Sequence, residues 1–174
     1  PADFAAIAAG VNFAYRNEGP TYLYIDKGPF DTIYDGHIDF SRGYSVLGEG
    51  RDLTIIATGI MVSQARRIAA DLSAQGRSIG VIDLYRIKPL DEHDFAGAIR
   101  NCRRIATLEE NLIVGGIGSL VCEVVAENGL SIPVKRFGIQ GTYRCDIGDR
   151  ETMRSLEGID LPSVSRRILE LIDR

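Results

Sequence analysis

Little in this chain points to a metal site, a disulfide framework or a membrane. There is no tryptophan, and its 174 residues include only two histidines, two methionines and three cysteines. Cys102, Cys122 and Cys145 are odd in number and widely spaced, form no CxxC, and make no metal pattern with His37 or His93. Reduced thiols of a cytoplasmic protein are the reading that fits. No block of lysine and arginine occurs and the net charge is −4, which argues against nucleic acid as a partner. No apolar run approaches the roughly 20 residues that cross a bilayer, and no signal peptide is visible. Neither a GxGxxG fingerprint nor a Walker A loop is present.

What remains is a hydrophobic content of 45%, enough for one compact core with an appended segment. The sequence opens at Pro1 without a methionine and runs straight into an amphipathic stretch, the pattern expected of part of a longer polypeptide. Phe4, Ile7, Ala8, Val11 and Tyr15 lie at helical spacing, with Asp3 placed to cap the N-terminus. "TYLYID" (21–26) is rich in β-formers and predicts a strand. "KGPFDTIYDGHIDFSRG" (27–43) has no period and reads as a linker.

From residue 44 the pattern is regular. Strands are expected at 44–48, 53–59, 78–84, 103–109 and 132–139, with helices after Gly59, from about 91, after the glycine cluster at 115–118, and over about 150–157 and 162–173. Continuous apolar strands such as "LTIIATG" are the kind buried on both faces of a parallel sheet. The turn "EGRD" is too short for a crossover, so the pair 44–48 and 53–59 is expected to be antiparallel. The predicted fold is α/β: a three-layer α/β/α unit around a mixed, mostly parallel five-stranded sheet whose first strand is antiparallel.

The stretch "ATLEENLIVGGIGSL" (106–120) carries two acidic residues and then Gly115, Gly116 and Gly118 where a strand runs into a helix. Ligands bind at such places in open α/β sheets. Two carboxylates would repel a phosphate, however, and Glu109 and Glu110 alternate sides if the strand continues. The turn is therefore read as structural, with a positive φ expected at Gly116 and Ser119 helping to cap the helix. His93 sits among Asp91, Glu92 and Asp94 and is read as solvated, while His37 lies in the linker with no evident partner. Lys27 closes the 21–26 strand before Gly28-Pro29, where a cation could hold a phosphate as a point charge or simply pair with Asp26. No nucleophile–base set emerges from the residues.

Taken together, "PADFAAIAAG", "GPTYLYIDKG", "EGRDLTIIATGIMVSQA", "VIDLYRIKPLD", "TLEENLIVGGIGSLVCEV" and "PVKRFGI" occur in the order and spacing of transketolase-like thiamine diphosphate enzymes. The resemblance covers essentially the whole chain and is strongest to C-terminal subunits of split transketolases. It implies that residues 1–40 are the end of a pyrimidine-binding domain with its linker and that residues 41–174 are the C-terminal domain. The implied activity is transfer of a two-carbon ketol unit between sugars in carbohydrate metabolism. Thiamine diphosphate and Mg²⁺ would serve the complete enzyme, with neither expected on this chain alone and no catalytic residue within it. The implied partners are the remaining domains or an N-terminal subunit, in a dimer or other homo-oligomer. A β subunit of a 2-oxo acid dehydrogenase, a deoxyxylulose-phosphate synthase and a non-catalytic interaction module are the alternatives. One family site residue maps here: Lys27 stands where transketolases place an arginine that grips the sugar phosphate, a change that keeps the charge and loses the bidentate fork.

Overall fold

The computed structural model describes residues 1–36 and 38–173; His37 lies outside them. The elements run α1 (Phe4–Arg16), β1 (Tyr44–Gly48), β2 (Leu53–Ala57), α2 (Met61–Ser73), β3 (Ile79–Leu84), α3 (Glu92–Ile99), β4 (Ile105–Leu112), α4 (Ile117–Glu127), β5 (Val134–Ile139), α5 (Arg150–Glu157) and α6 (Leu161–Ile172). The sheet order is β1-β3-β2-β4-β5. The pairs β2–β3, β2–β4 and β4–β5 are parallel, and β1 runs antiparallel to β3. This is the mixed five-stranded sheet expected from the pattern.

Period-two geometry sorts the side chains of the buried strands onto two faces. Leu53, Ile55 and Ala57 of β2 pack with Val62, Ala65 and Ile68 of α2 and Val164 and Ile168 of α6. Ile56 points the other way, into a cluster with Phe95 and Ile99 of α3 and Val121 and Val124 of α4. Helices thus cover both faces, which is why these strands read as continuous apolar runs.

Strand β1 does not pair with β2 as the short turn implied; β3 lies between them. Two strand spacings amount to about 10 Å, within the reach of four residues at roughly 3.3 Å each. The 49–52 turn straddles the start of β3: Asp52 N–H donates to Ser78 O at 3.0 Å, and Ser78 N–H donates to the Asp52 carboxylate at 2.8 Å. A side chain on Gly50 would run into the backbone of Gly80, so this crossing depends on two small residues.

The segment 21–26 forms no strand. Extended β-formers become a strand only beside a hydrogen-bonding neighbour, and no sheet edge among the described residues reaches them. Helix α1 forms with Asp3 as N-cap, its carboxylate accepting from Ala6 N–H at 2.8 Å. The face it buries is nevertheless the small one, Ala6 and Gly10, while Phe4 is 71% and Tyr15 90% exposed. A tie holds this part to the sheet. Asp3 also accepts from the amides of Ile33 and Tyr34 at 2.8 Å, the Tyr34 hydroxyl donates to Asp83 of β3 at 2.7 Å, and the Phe40 ring stacks on Tyr85.

Candidate functional site

The C-terminal ends of the parallel strands open onto a groove of about 1080 Å³ that residues 20–24 and Asp26 also line. Tyr22, Tyr24, Met61, Arg86, Tyr143 and Arg150 are among its lining residues. This is the edge at which open α/β sheets bind ligands, and the acid–glycine turn sits beside it.

β4 continues to Leu112, three residues past the expected end, so Glu109 and Glu110 fall inside the strand and face opposite ways. Glu109 is fully buried, and its two carboxylate oxygens accept from Ile117 N–H and Gly118 N–H, each at 2.9 Å. Those amides are orphans of the first turn of α4, so the helix N-terminus already holds its anion. Burial pushes the Glu109 carboxyl above its usual pKa, partly countered by the two amides. The glycines follow from this arrangement. A Cβ on Gly116 would strike the Glu109 carboxylate, and one on Gly118 would stand 2.7 Å from Thr107 Oγ1. Gly116 has φ −81°, so the positive φ expected there belongs instead to Gly115, at +77°. Ser119 does not cap α4. Its hydroxyl donates to Ile113 O and accepts from Gly115 N–H, closing the turn, while Glu109 does the capping.

Glu110 faces α5. Arg150 Nε donates to its two oxygens at 2.9 and 3.1 Å, and Arg154 Nε donates to Oε1 at 2.6 Å. Burial works against ionisation of Glu110, but these arginines overcome it and hold the carboxyl below its usual pKa. The other edge of Arg150 grips Asp26 in bidentate fashion, Nη1 to Oδ1 at 3.0 Å and Nη2 to Oδ2. The hydrogen bond from Arg150 lowers the Asp26 pKa. No sequence signal could have found this network, because Asp26 and Arg150 are 124 residues apart.

Lys27 is exposed and lies just outside the groove lining; its backbone amide turns to the Asp26 carboxylate, and its side chain makes no hydrogen bond or ion pair among the described residues. Asp26, one of the two partners considered for it, is committed to Arg150. His93 is exposed.

The match that decides the family covers residues 44–164, which fit the model of the transketolase C-terminal domain. The chain belongs to the transketolase C-terminal domain family. It is 33% identical over 92% of its length to one subunit of the apulose-4-phosphate transketolase of Actinobacillus succinogenes, and 29% identical over its whole length to the 6-deoxy-6-sulfo-D-fructose transketolase subunit of a Clostridium strain. Among solved structures, a split-gene transketolase described as an inactive beta4 tetramer superposes with a TM-score of 0.86 at 31% identity, covering 99% of this chain and 56% of that one. The chain spans about half the length of the curated relatives it matches, 52% and 54%.

Among its described residues this transketolase C-terminal domain offers no ligand cluster for the Mg²⁺ of a bound diphosphate: no group of three or more His, Cys, Asp and Glu could hold a metal ion. The amides at the α4 turn are already taken by a carboxylate, and carboxylates likewise cap α1, α3 and α5, whereas α2 and α6 have no side-chain cap. No helix among the described residues is long and apolar enough to cross a membrane.

Proposed function

We propose that this chain is the C-terminal portion or subunit of a transketolase-type enzyme that transfers a two-carbon ketol unit between sugars. The family match together with the whole-chain likeness to a split transketolase carries this reading. When bound in the complete enzyme, thiamine diphosphate supplies the carbanion-stabilising chemistry; it and Mg²⁺ are held by parts other than this chain. What this chain contributes is assembly and one electrostatic contact. Residues 1–40 complete a pyrimidine-binding domain, and residues 41–174 form the C-terminal domain. The outward apolar stripe of α1 and the exposed Tyr22, at 88%, support an assembly role, since large apolar groups at one site mark contacts with a partner. That partner is an N-terminal subunit or the preceding domains, with further association between copies of the chain. The free cysteines support a cytoplasmic setting.

Lys27 is the proposed substrate contact. The relatives named above act on a sugar phosphate and a sulfonated sugar. An exposed ammonium with no side-chain partner among the described residues serves either anion, because it acts as a point charge rather than as a shaped fork. The test is reconstitution. Mixed with its N-terminal counterpart, thiamine diphosphate and Mg²⁺, the chain gives ketol transfer that neither half gives alone. In that enzyme Lys27→Ala raises KM for ribose 5-phosphate far more than for ribose, by about tenfold for loss of one charged hydrogen bond. Absence of transfer from the mixture refutes the enzymatic reading, and equal effects on the two sugars remove Lys27 from the site.

A further inference from the structure

Arg150 ties the C-terminal domain to the residue that immediately precedes Lys27. Its guanidinium is used on both edges. One edge takes Asp26 through two parallel bonds, and the other takes Glu110 of β4, which Arg154 braces from the next turn of α5. Arg154 is itself buried. Asp26 also accepts from Gly28 N–H at 3.3 Å, so its carboxylate reaches around Lys27 and touches the chain on the far side. The backbone bearing Lys27 is thus anchored through Asp26 to α5 and β4, while its side chain has no hydrogen bond or ion pair among the described residues. Isolated surface ion pairs contribute little to stability. A bidentate pair backed by a second carboxylate and a buried arginine instead fixes direction. The network lies in a segment without strand hydrogen bonds, 20–36, where nothing else among the described residues bonds to Asp26 from the C-terminal domain.

We propose that Arg150 is a positioning residue for anion recognition: through Asp26 it holds the Lys27 ammonium in place for the charged end of the sugar. The inference rests on the reading of Lys27 as the anion contact. It assigns to the C-terminal domain a share in substrate discrimination.

The test uses the complete enzyme, this chain assembled with its counterpart, and compares ribose 5-phosphate with ribose. Arg150→Met raises KM for ribose 5-phosphate about fivefold, since a displaced contact loses most of a charged interaction. kcat stays within about twofold and KM for ribose changes far less, as expected when ground-state binding alone is lost. Arg150→Lys does not restore the low KM, because an ammonium cannot bridge Asp26 and Glu110 as the fork does. Asp26→Asn, which leaves the arginine in place, gives the same split and guards against misfolding of the first variant. The decisive comparison is the double variant. If Arg150 acts through Lys27, Lys27→Ala with Arg150→Met is no worse than Lys27→Ala alone. Additive losses overturn the proposal and make Arg150 a direct contact. A split for Lys27→Ala with none for Arg150→Met or Asp26→Asn overturns the proposal and leaves the reading of Lys27 standing. If no variant shows a split, both fall. A merely structural network lowers the melting temperature and raises the two KM values together.

Discussion

Removing the Glu109 carboxylate tests whether the acid–glycine turn is built for the fold. In Glu109→Ala two amides of the first turn of α4 lose their acceptors in a place without water, because Glu109 is fully buried. A hydrogen bond to a charged group contributes about 1.5–3 kcal/mol, and the helix dipole adds about 0.3–1 kcal/mol. Against this stands the cost of burying the charge, visible in the raised pKa of Glu109. The net loss is on the order of 3 kcal/mol, which at about 2–4 °C per kcal/mol for a chain of this size lowers the melting temperature by roughly 10 °C. Glu109→Gln keeps one acceptor and turns an NH₂ toward the other amide, so it falls between the alanine variant and the native chain. Scanning calorimetry of the three proteins measures this. An alanine variant melting within about 2 °C of the native chain would refute the capping argument.

Two further outcomes follow from the same geometry. Gly116→Val destabilises the fold or its assembly, because its side chain has no room beside the Glu109 carboxylate and its Cβ would lie 2.5 Å from Leu112 O; a variant that keeps its melting temperature but loses a ligand contradicts this. Asp83 is buried with one oxygen that has no hydrogen-bond partner among the described residues, and burial, opposed by the Tyr34 hydrogen bond, raises its pKa from 3.8 to about 7. The folded state therefore holds the Asp83 proton more tightly than the unfolded chain, and the stability that this lends is complete below about pH 4 and lost as pH rises to about 7. Asp83→Asn removes that loss, so the fall in melting temperature between about pH 5 and about pH 8 is smaller in the variant; an unchanged difference refutes the assignment.

The fold was legible wherever one segment carried its own pattern. β2, β3 and β5 and the helices α2, α4, α5 and α6 lie within two residues of their expected places, because buried strands and amphipathic helices announce themselves by period. The failures share a cause. Whether "TYLYID" is a strand depends on a neighbour that its own residues do not specify. The pairing of β1 with β3 depends on Ser78 and Gly80, which lie beyond the turn that seemed to dictate it. Residue type and spacing set up a helix stripe at Phe4, Val11 and Tyr15, but which face is buried was decided by Phe40 and Leu23 closing on Gly10. Site residues divide the same way. Glu109 was readable as structural from its glycines. The arginines of α5 were silent, since their partners Glu110 and Asp26 lie 40, 44 and 124 positions away.

That the catalytic centre is assembled from parts outside this chain is tested most directly by isothermal titration with thiamine diphosphate and Mg²⁺. The expected result is no saturable binding to the chain alone and saturable binding once the N-terminal counterpart is present. Saturable binding at about micromolar Kd, near 8 kcal/mol, to the chain by itself would contradict it.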